Sequence, residues 1–338
     1  MKVLVVTHSG DNESIDFVTR ALETRGAEVI RLNTDCFPVE LGLSLTTTQN
    51  GAQSVLLSAN AHDLSDVDAV WYRRMRHARG LEEMDPQVER GAVLESEATL
   101  LGLINTLDAF VLDPPHRIRY AEQKPLQLKF AKALGLKIPR TLITNQPDEV
   151  RDFYERCDGK IITKMLSSFA IYDEDQEQVV FTTPVESEHL DMLDGLRYCP
   201  MVFQEMVPKA LELRVTVVGE RVFAASVDSQ ASEKTRFDWR EDGVALMDAW
   251  EPYELPEEVQ AKLLTLMDRL ELNYGASDFI LTPEGEYVFL EINPAGEFFW
   301  LELNPGLPIS EALADVLIGN AKRRGWQSAS ERHVSIVT

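Results

Sequence analysis

Residues 276–293, ASDFILTPEGEYVFLEIN, constrain the fold more than any other stretch of the chain. Two apolar runs flank the breaker TPEG, which predicts an antiparallel hairpin with strands over 276–282 and 286–293. In so apolar a pair, Asp278, Glu291 and Asn293 are costly to desolvate without partners. A two-residue turn at Glu284-Gly285, or a four-residue turn about the same centre, places Asp278 directly opposite Glu291. Asn293 then lies one step further along that face, whereas a three-residue loop breaks the alignment. Two carboxylates so close repel, and one is pushed to an abnormal pKa unless a cation sits between them. Two carboxylates and an amide suit Mg2+, which completes its shell with water and nucleotide phosphates. A salt bridge to arginine is the plainer alternative.

The rest of the chain reads as mixed α/β. Lys2–Thr7 is a short Val-rich run, typical of a buried parallel strand. The helical pattern IDFVTRALETRG closes at Gly26, and AEVIRLN follows as a second strand, so the chain opens β-α-β. A hairpin is expected around Asn50-Gly51, then a strand at VDAVWYRRM, a long helix over 85–107 and a strand FVLD. The first domain boundary falls near 116–122. Beyond it come a helix over 125–135, short strands at IPRTLIT, GKIITKML and QVVFTTP, and a helix over 186–196. The polar loop SSFAIYDEDQEQ between the last two strands is expected to be mobile. Strands at MVFQEMV and ELRVTVVGERVFAASVDS and a helix over 256–272 lead to the hairpin.

With 338 residues the chain is long enough for two or three domains. Its net charge of -23 argues against nucleic acid or an anionic membrane surface as partner. No apolar stretch approaches the roughly 18 residues that span a bilayer, and the N-terminus lacks a secretory pattern. Three scattered cysteines fit a reducing compartment, so a cytoplasmic location is expected. Against this acidic background WYRRMRHARG gathers Arg73, Arg74, Arg76, His77 and Arg79, and HRIRY follows at 116–120. Such islands either handle an anion or form a solvated charge run.

Taken together, the Asp and Glu-x-Asn strands, two upstream lysines, FQEMV followed by ELRVTVVG, and GASDFIL…FLEINPAGEFFWLE resemble the ATP-grasp superfamily over about 119–321. The closing NPGLPISEALADVLI and the N-terminal VWYRRM resemble more narrowly the microviridin- or graspetide-type maturases of ribosomal peptides. The resemblance implies a three-lobed α/β architecture. Its parts would be a parallel-sheet N-terminal domain (1–118), a small central lid domain (119–202), a C-terminal antiparallel-sheet ATP-grasp domain (203–325) and a tail (326–338). It also implies an ATP-dependent ligase that phosphorylates Asp or Glu side chains of a precursor peptide. A Thr, Ser or Lys side chain then displaces phosphate, leaving an ω-ester or ω-amide crosslink. Phosphoryl transfer of this kind needs positioning and charge neutralisation more than a protein nucleophile.

Residue by residue, the resemblance directs Lys124 and Lys164 to the ATP phosphates. Gln204, Glu205, Met206 and Val207 match the hinge whose backbone reads adenine, and Glu212 the ribose partner. Asp278, Glu291 and Asn293 match the Mg2+ ligands, and Arg214 is placed at the γ-phosphate and acylphosphate, with a salt bridge to Glu212 as its structural alternative. Of Arg73 and Arg74, one would orient the substrate carboxylate; strand alternation forbids both from pointing the same way. The leader of the precursor would bind the helix around Asp191, Met192, Leu193, Asp194 and Leu196, with the preceding hairpin. A homodimer is expected. Two other functions compete: a ligase joining small molecules or amino acids, and a nucleotide-binding scaffold without turnover.

Overall fold

The computed structural model describes residues 1–49, 51–57, 61–166, 170–173, 176–179 and 181–325. Asn50 of the first expected turn, much of the tip of the acidic loop and the tail at 326–338 lie outside the described residues. The chain opens with β1 (Lys2–Thr7), α1 (Ser14–Thr24) and β2 (Glu28–Asn33). A small antiparallel sheet follows, β3 (Gly42–Thr48), β4 (Gly51–Leu57) and β5 (His62–Asp63). Its ladder pairs Thr48 with Gly51. Then come β6 (Ala69–Tyr72), α2 (Pro86–Thr106) and β7 (Phe110–Leu112). Strands β2-β1-β6-β7 form a wholly parallel sheet. Alternation along β1 explains its coverage on both faces. Val3 and Val5 pack with Ile15, Val18 and Leu22 of α1, while Leu4 and Val6 pack with Leu100, Leu103 and Ile104 of α2.

Two short helices, α3 (Pro115–Ala121) and α4 (Lys124–Ala133), lead into the middle of the chain. There β8 (Thr141–Thr144), α5 (Pro147–Arg156) and β9 (Ile161–Lys164) precede the hairpin β10 (Ala170–Asp173) and β11 (Gln176–Val179). Strands β10 and β11 form a sheet of their own, while β8 and β9 join β12 (Thr183–Pro184) and β13 (Met201–Glu205) in an antiparallel sheet of order β12-β9-β13-β8. Its core holds Val150, Phe153, Ile161, Val185, Leu196 and Phe203. The helix expected over 186–196 is instead a 3-10 stretch, Ser187–Arg197, kinked at Met192 (φ -107°, ψ 17°). The irregular turn drives Leu196 inward, 4% exposed, among those core residues, and leaves Met192 69% exposed. Leu196 is therefore a core residue, not part of an open groove.

The C-terminal sheet has the order β16-β15-β14-β17-β18. Its elements are β14 (Leu211–Val218), β15 (Arg221–Val227), β16 (Glu251–Pro252), α6 (Glu257–Leu270), β17 (Tyr274–Leu281) and β18 (Tyr287–Asn293), followed by α7 (Phe299–Leu303) and α8 (Ile309–Ile318). One face, carrying Leu213, Val215, Val217, Phe279 and Phe289, packs against Leu263, Leu266 and Met267 of α6 and Ala131 of α4. So α3 and α4 join this sheet, and the central unit's own core begins at β8. Beneath the other face, α8 and Phe298 share one continuous core with α1 and β1. Among the described residues no helix is long and apolar enough to cross a membrane.

The hairpin departs from the expected turn. Thr282 N–H donates to Glu286 O and Gly285 N–H to Thr282 O, both at 2.9 Å, so the loop is the three residues Pro283-Glu284-Gly285. Gly285 supplies the left-handed conformation this loop needs (φ +81°). Nearest the turn, Leu281 pairs with Tyr287 and Phe279 with Phe289; the register then shifts by one, with Leu290 as the extra residue, and Asp278 pairs with Glu291. The bulge has a clear reason: Phe279 and Phe289, in edge contact at 5.4 Å, both reach the core face, while Asp278 and Glu291 both turn to the other. Without it Phe289 and Glu291 would lie on the same face. The expected pairing of the two acids stands, but through an odd loop and a compensating bulge.

Candidate active site

Three neighbouring strands present charge on the face opposite the aromatic core. Leu213, Val215 and Val217 of β14 point into that core, so Glu212 and Arg214 point away from it. Arg214 sits directly across from Asp278. Its Nη1 donates to both carboxylate oxygens of Asp278, at 2.9 and 3.1 Å, and its Nη2 donates to Glu297 O at 3.1 Å. The alternative of a bridge to Glu212 is therefore not what forms. Glu212 pairs with Lys209 at 2.9 Å, and burial pushes its carboxyl up from the usual carboxylate value. Behind Arg214 lies the ring of Trp300, 5.7 Å from the guanidinium carbon.

Glu291 is the meeting point of two lysines from different parts of the chain. Lys124 Nζ, at the start of α4, lies 2.7 Å from Glu291 Oε2, and Lys164 Nζ, at the end of β9, lies 3.8 Å from the same oxygen. Burial would raise the Glu291 carboxyl, but the Lys164 and Lys124 ammonium groups outweigh it and hold it at about 2. Burial lowers Lys164 itself, against the attraction of Glu291. Strand β9 lies between β12 and β13, and Lys164 at its end pairs with Val202 of β13. Asn293, on the same face as Glu291, is exposed, and its Oδ1 accepts from Ala295 N–H at 2.9 Å.

A third cluster joins the N-terminal unit to the loop after β18. Arg73 Nη2 lies 2.6 Å from Glu297 Oε2, Arg74 Nη2 pairs with Glu297 Oε1, and Asn12 Nδ2 donates to Glu297 Oε2 at 2.5 Å. The expectation that only one arginine could face this way fails because β6 ends at Tyr72. Beyond that point the backbone is no longer a strand and alternation lapses. Tyr274 Oη donates to Gly296 O at 2.7 Å, drawing the loop onto the sheet. A Cβ on Gly296 would lie 2.6 Å from Ala276 Cβ and 2.7 Å from Arg214 Nη2, so only glycine fits there.

At the expected hinge, Gln204 is buried and its Nε2 donates to Thr141 Oγ1 at 2.9 Å. The Glu205 carboxylate is paired with Arg140, and Met206 N–H donates to Lys160 O at 2.9 Å. Strand β13 ends at Glu205, leaving Met206 and Val207 as the connection between the two sheets. Asp191 and Asp194 are exposed on the 3-10 stretch with Met192. Sequence reasoning passed over two residues. Glu297 lies in GEFFWLE, beyond the strand that marks Glu291 and Asn293. Arg240, held by Asp238 at 2.6 and 2.8 Å, is raised above the usual arginine value first by that bond and then by the fields of Asp278 and Glu291. Its signal in the sequence was only an Asp-x-Arg within FDWRED.

Residues 2–119 match the family described as the MvdD pre-ATP grasp domain. The macrocyclase MdnC from Microcystis aeruginosa MRC, solved with its precursor peptide MdnA, is 45% identical over 94% of this chain and 100% of its own, with a TM-score of 0.86. A RiPP-associated ATP-grasp ligase of Chryseobacterium gregarium, in complex with ADP and a leader and core peptide, is 43% identical over 96% of this chain and 98% of its own, with a TM-score of 0.91. A probable alpha-L-glutamate ligase of Teredinibacter turnerae is 24% identical over 220 residues, 64% of this chain and 69% of its own. With identity at this level along nearly its whole length, the chain belongs to the ATP-grasp macrocyclases of ribosomal peptide biosynthesis and is an ATP-dependent ligase.

Proposed function

We propose that the chain binds ATP between its central and C-terminal sheets and crosslinks acidic side chains of a ribosomal precursor peptide. One observation carries the assignment: two lysines from different elements converge on Glu291, while Arg214 is bound to the opposing Asp278. Anions placed there, such as the phosphates of ATP, would draw Lys124 and Lys164 from Glu291. Asp278, Glu291 and Asn293 then offer two carboxylates and an amide, a hard-oxygen set fitting Mg2+, which would neutralise phosphate charge. Gln204, Glu205, Met206 and Val207 border the adenine, with Met206 and Val207 supplying backbone groups, and the buried Glu212 faces the ribose hydroxyls.

In this scheme Arg73 and Arg74 orient the substrate carboxylate. One carboxylate oxygen attacks the γ-phosphorus, the bond to ADP breaks, and an acylphosphate forms. Arg214 stabilises the charge on the transferring group. A Thr or Ser hydroxyl, or a Lys amine, then attacks the acyl carbon and loses its proton as phosphate departs, giving an ω-ester or ω-amide. Asp191, Met192 and Asp194 form the exposed surface for the leader, with the hairpin β10-β11 beside it. The protein acts in the cytoplasm as a homodimer, and light scattering of the purified chain should return twice its mass.

The likeness to an alpha-L-glutamate ligase favours a second reading, amide formation between small molecules. ADP release separates the two. The precursor should stimulate it, and free amino acids should not. Release with amino acids but not with leader-bearing peptide would replace the first reading with the second.

A further inference from the structure

Glu297 has no task in this scheme, yet Asn12, Arg73 and Arg74 all converge on its carboxylate. We propose that Glu297 holds the place of the peptide's reacting carboxylate between Arg73 and Arg74, and that substrate binding exchanges one for the other. The inference rests on the reading of the arginine pair as carboxylate-orienting residues.

Burial sets the first constraint. Arg73 is only 2% exposed, and a guanidinium so buried needs an anion beside it at all times. Exchange of one carboxylate for another leaves Arg73 paired both before and after substrate binds. Repulsion sets the second, because two carboxylates cannot share the space between the arginines. The third is freedom to move. Arg73 is fixed by the Ala295 and Gly296 carbonyls, whereas among the described residues Arg74 pairs with Glu297 and, at 3.4 Å, with Asp11. The side chains of Glu297 and Arg74 are 31% and 30% exposed, so the water-facing part of the cluster is the part that must exchange. Meanwhile the Glu297 carbonyl accepts from Arg214, which anchors its backbone while the side chain swings away. An internal competitor of this kind raises the KM of every acidic side chain, and so favours those delivered by a tethered leader.

Steady-state crosslinking of the precursor by wild type, Glu297→Ala and Glu297→Gln tests the exchange, with propionate as a free carboxylate probe. KM for the precursor should fall roughly tenfold in both variants with kcat within about twofold, the gain expected when a competing state is removed. Propionate should inhibit Glu297→Ala competitively and leave wild type unaffected. A KM unchanged or raised in Glu297→Gln of normal melting temperature overturns the inference. So does propionate restoring turnover to Glu297→Ala, which marks Glu297 as a structural tether. If wild type makes no crosslink, the proposed function fails. Calorimetric binding of propionate to Glu297→Ala but not to wild type still decides the exchange.

Discussion

Glu291 is a carboxylate in a strand of apolar neighbours, and its ionised state is the first thing to explain. Burial opposes that state; Lys124 and Lys164 restore it and hold the group at about 2, below an ordinary 4.5. A depressed folded value contributes stability that is present above 4.5 and lost as pH falls through about 2. Thermal melts of wild type should therefore lose ground between pH 4.5 and pH 2, and Glu291→Gln should show a shallower loss over that window. An equal acid slope in both proteins would mean that Glu291 is not held ionised by the lysines. Asp278 and Glu291 were legible in the sequence as polar intrusions into apolar strands, whereas Lys124, Lys164 and Arg214 were legible only through the family resemblance. Glu297 was not, because it lies in a loop, and its partners come from residues 12, 73 and 74 of another unit.

Among the elements, the hairpin shows how a correct pairing can follow from an incorrect turn. An even loop with a regular ladder and an odd loop with a bulge both set Asp278 against Glu291, and nothing in TPEG separates them. What separates them is the place of Phe289, which only packing against α6 and α4 decides. The 3-10 stretch departs from the expected helix for a related reason: its residues suit an α-helix, but the kink at Met192 and burial of Leu196 follow from contact with α5 and the central sheet. Close approach governs the loop after β18 as well. Gly296→Ala would press a methyl group against Ala276 and Arg214, a cost of about 1–3 kcal/mol for overpacking. Urea denaturation should show that loss, and turnover should fall with it because Arg214 is displaced from Asp278. A variant of full stability and turnover would show the loop to be looser than described.

The molecule as a whole carries a net charge of -23, yet Arg73, Arg74, Lys124, Lys164 and Arg214 gather where three units adjoin. The N-terminal parallel sheet and the C-terminal hairpin were legible because β-α-β and hairpin signals are local. The sharing of one core by α1, β1 and α8 was not, because residues some 290 positions apart leave no periodic mark; Arg25 and Asp315, paired at 3.0 Å, span that distance. A fully buried Asp113, accepting from Asn273 and Tyr274 backbone N–H groups, ties the end of the parallel sheet to the start of β17. Calorimetry should accordingly show the N-terminal and C-terminal units melting in one transition; a separate N-terminal transition would contradict the shared core. The most direct measurement is mass spectrometry of a cognate precursor incubated with the protein, ATP and Mg2+. The expected result is loss of one water for each crosslink formed, with ADP released, and no loss when Glu291 is replaced by Gln. An unmodified mass with every leader-bearing precursor, or undiminished crosslinking by Glu291→Gln, would contradict the assignment of this site.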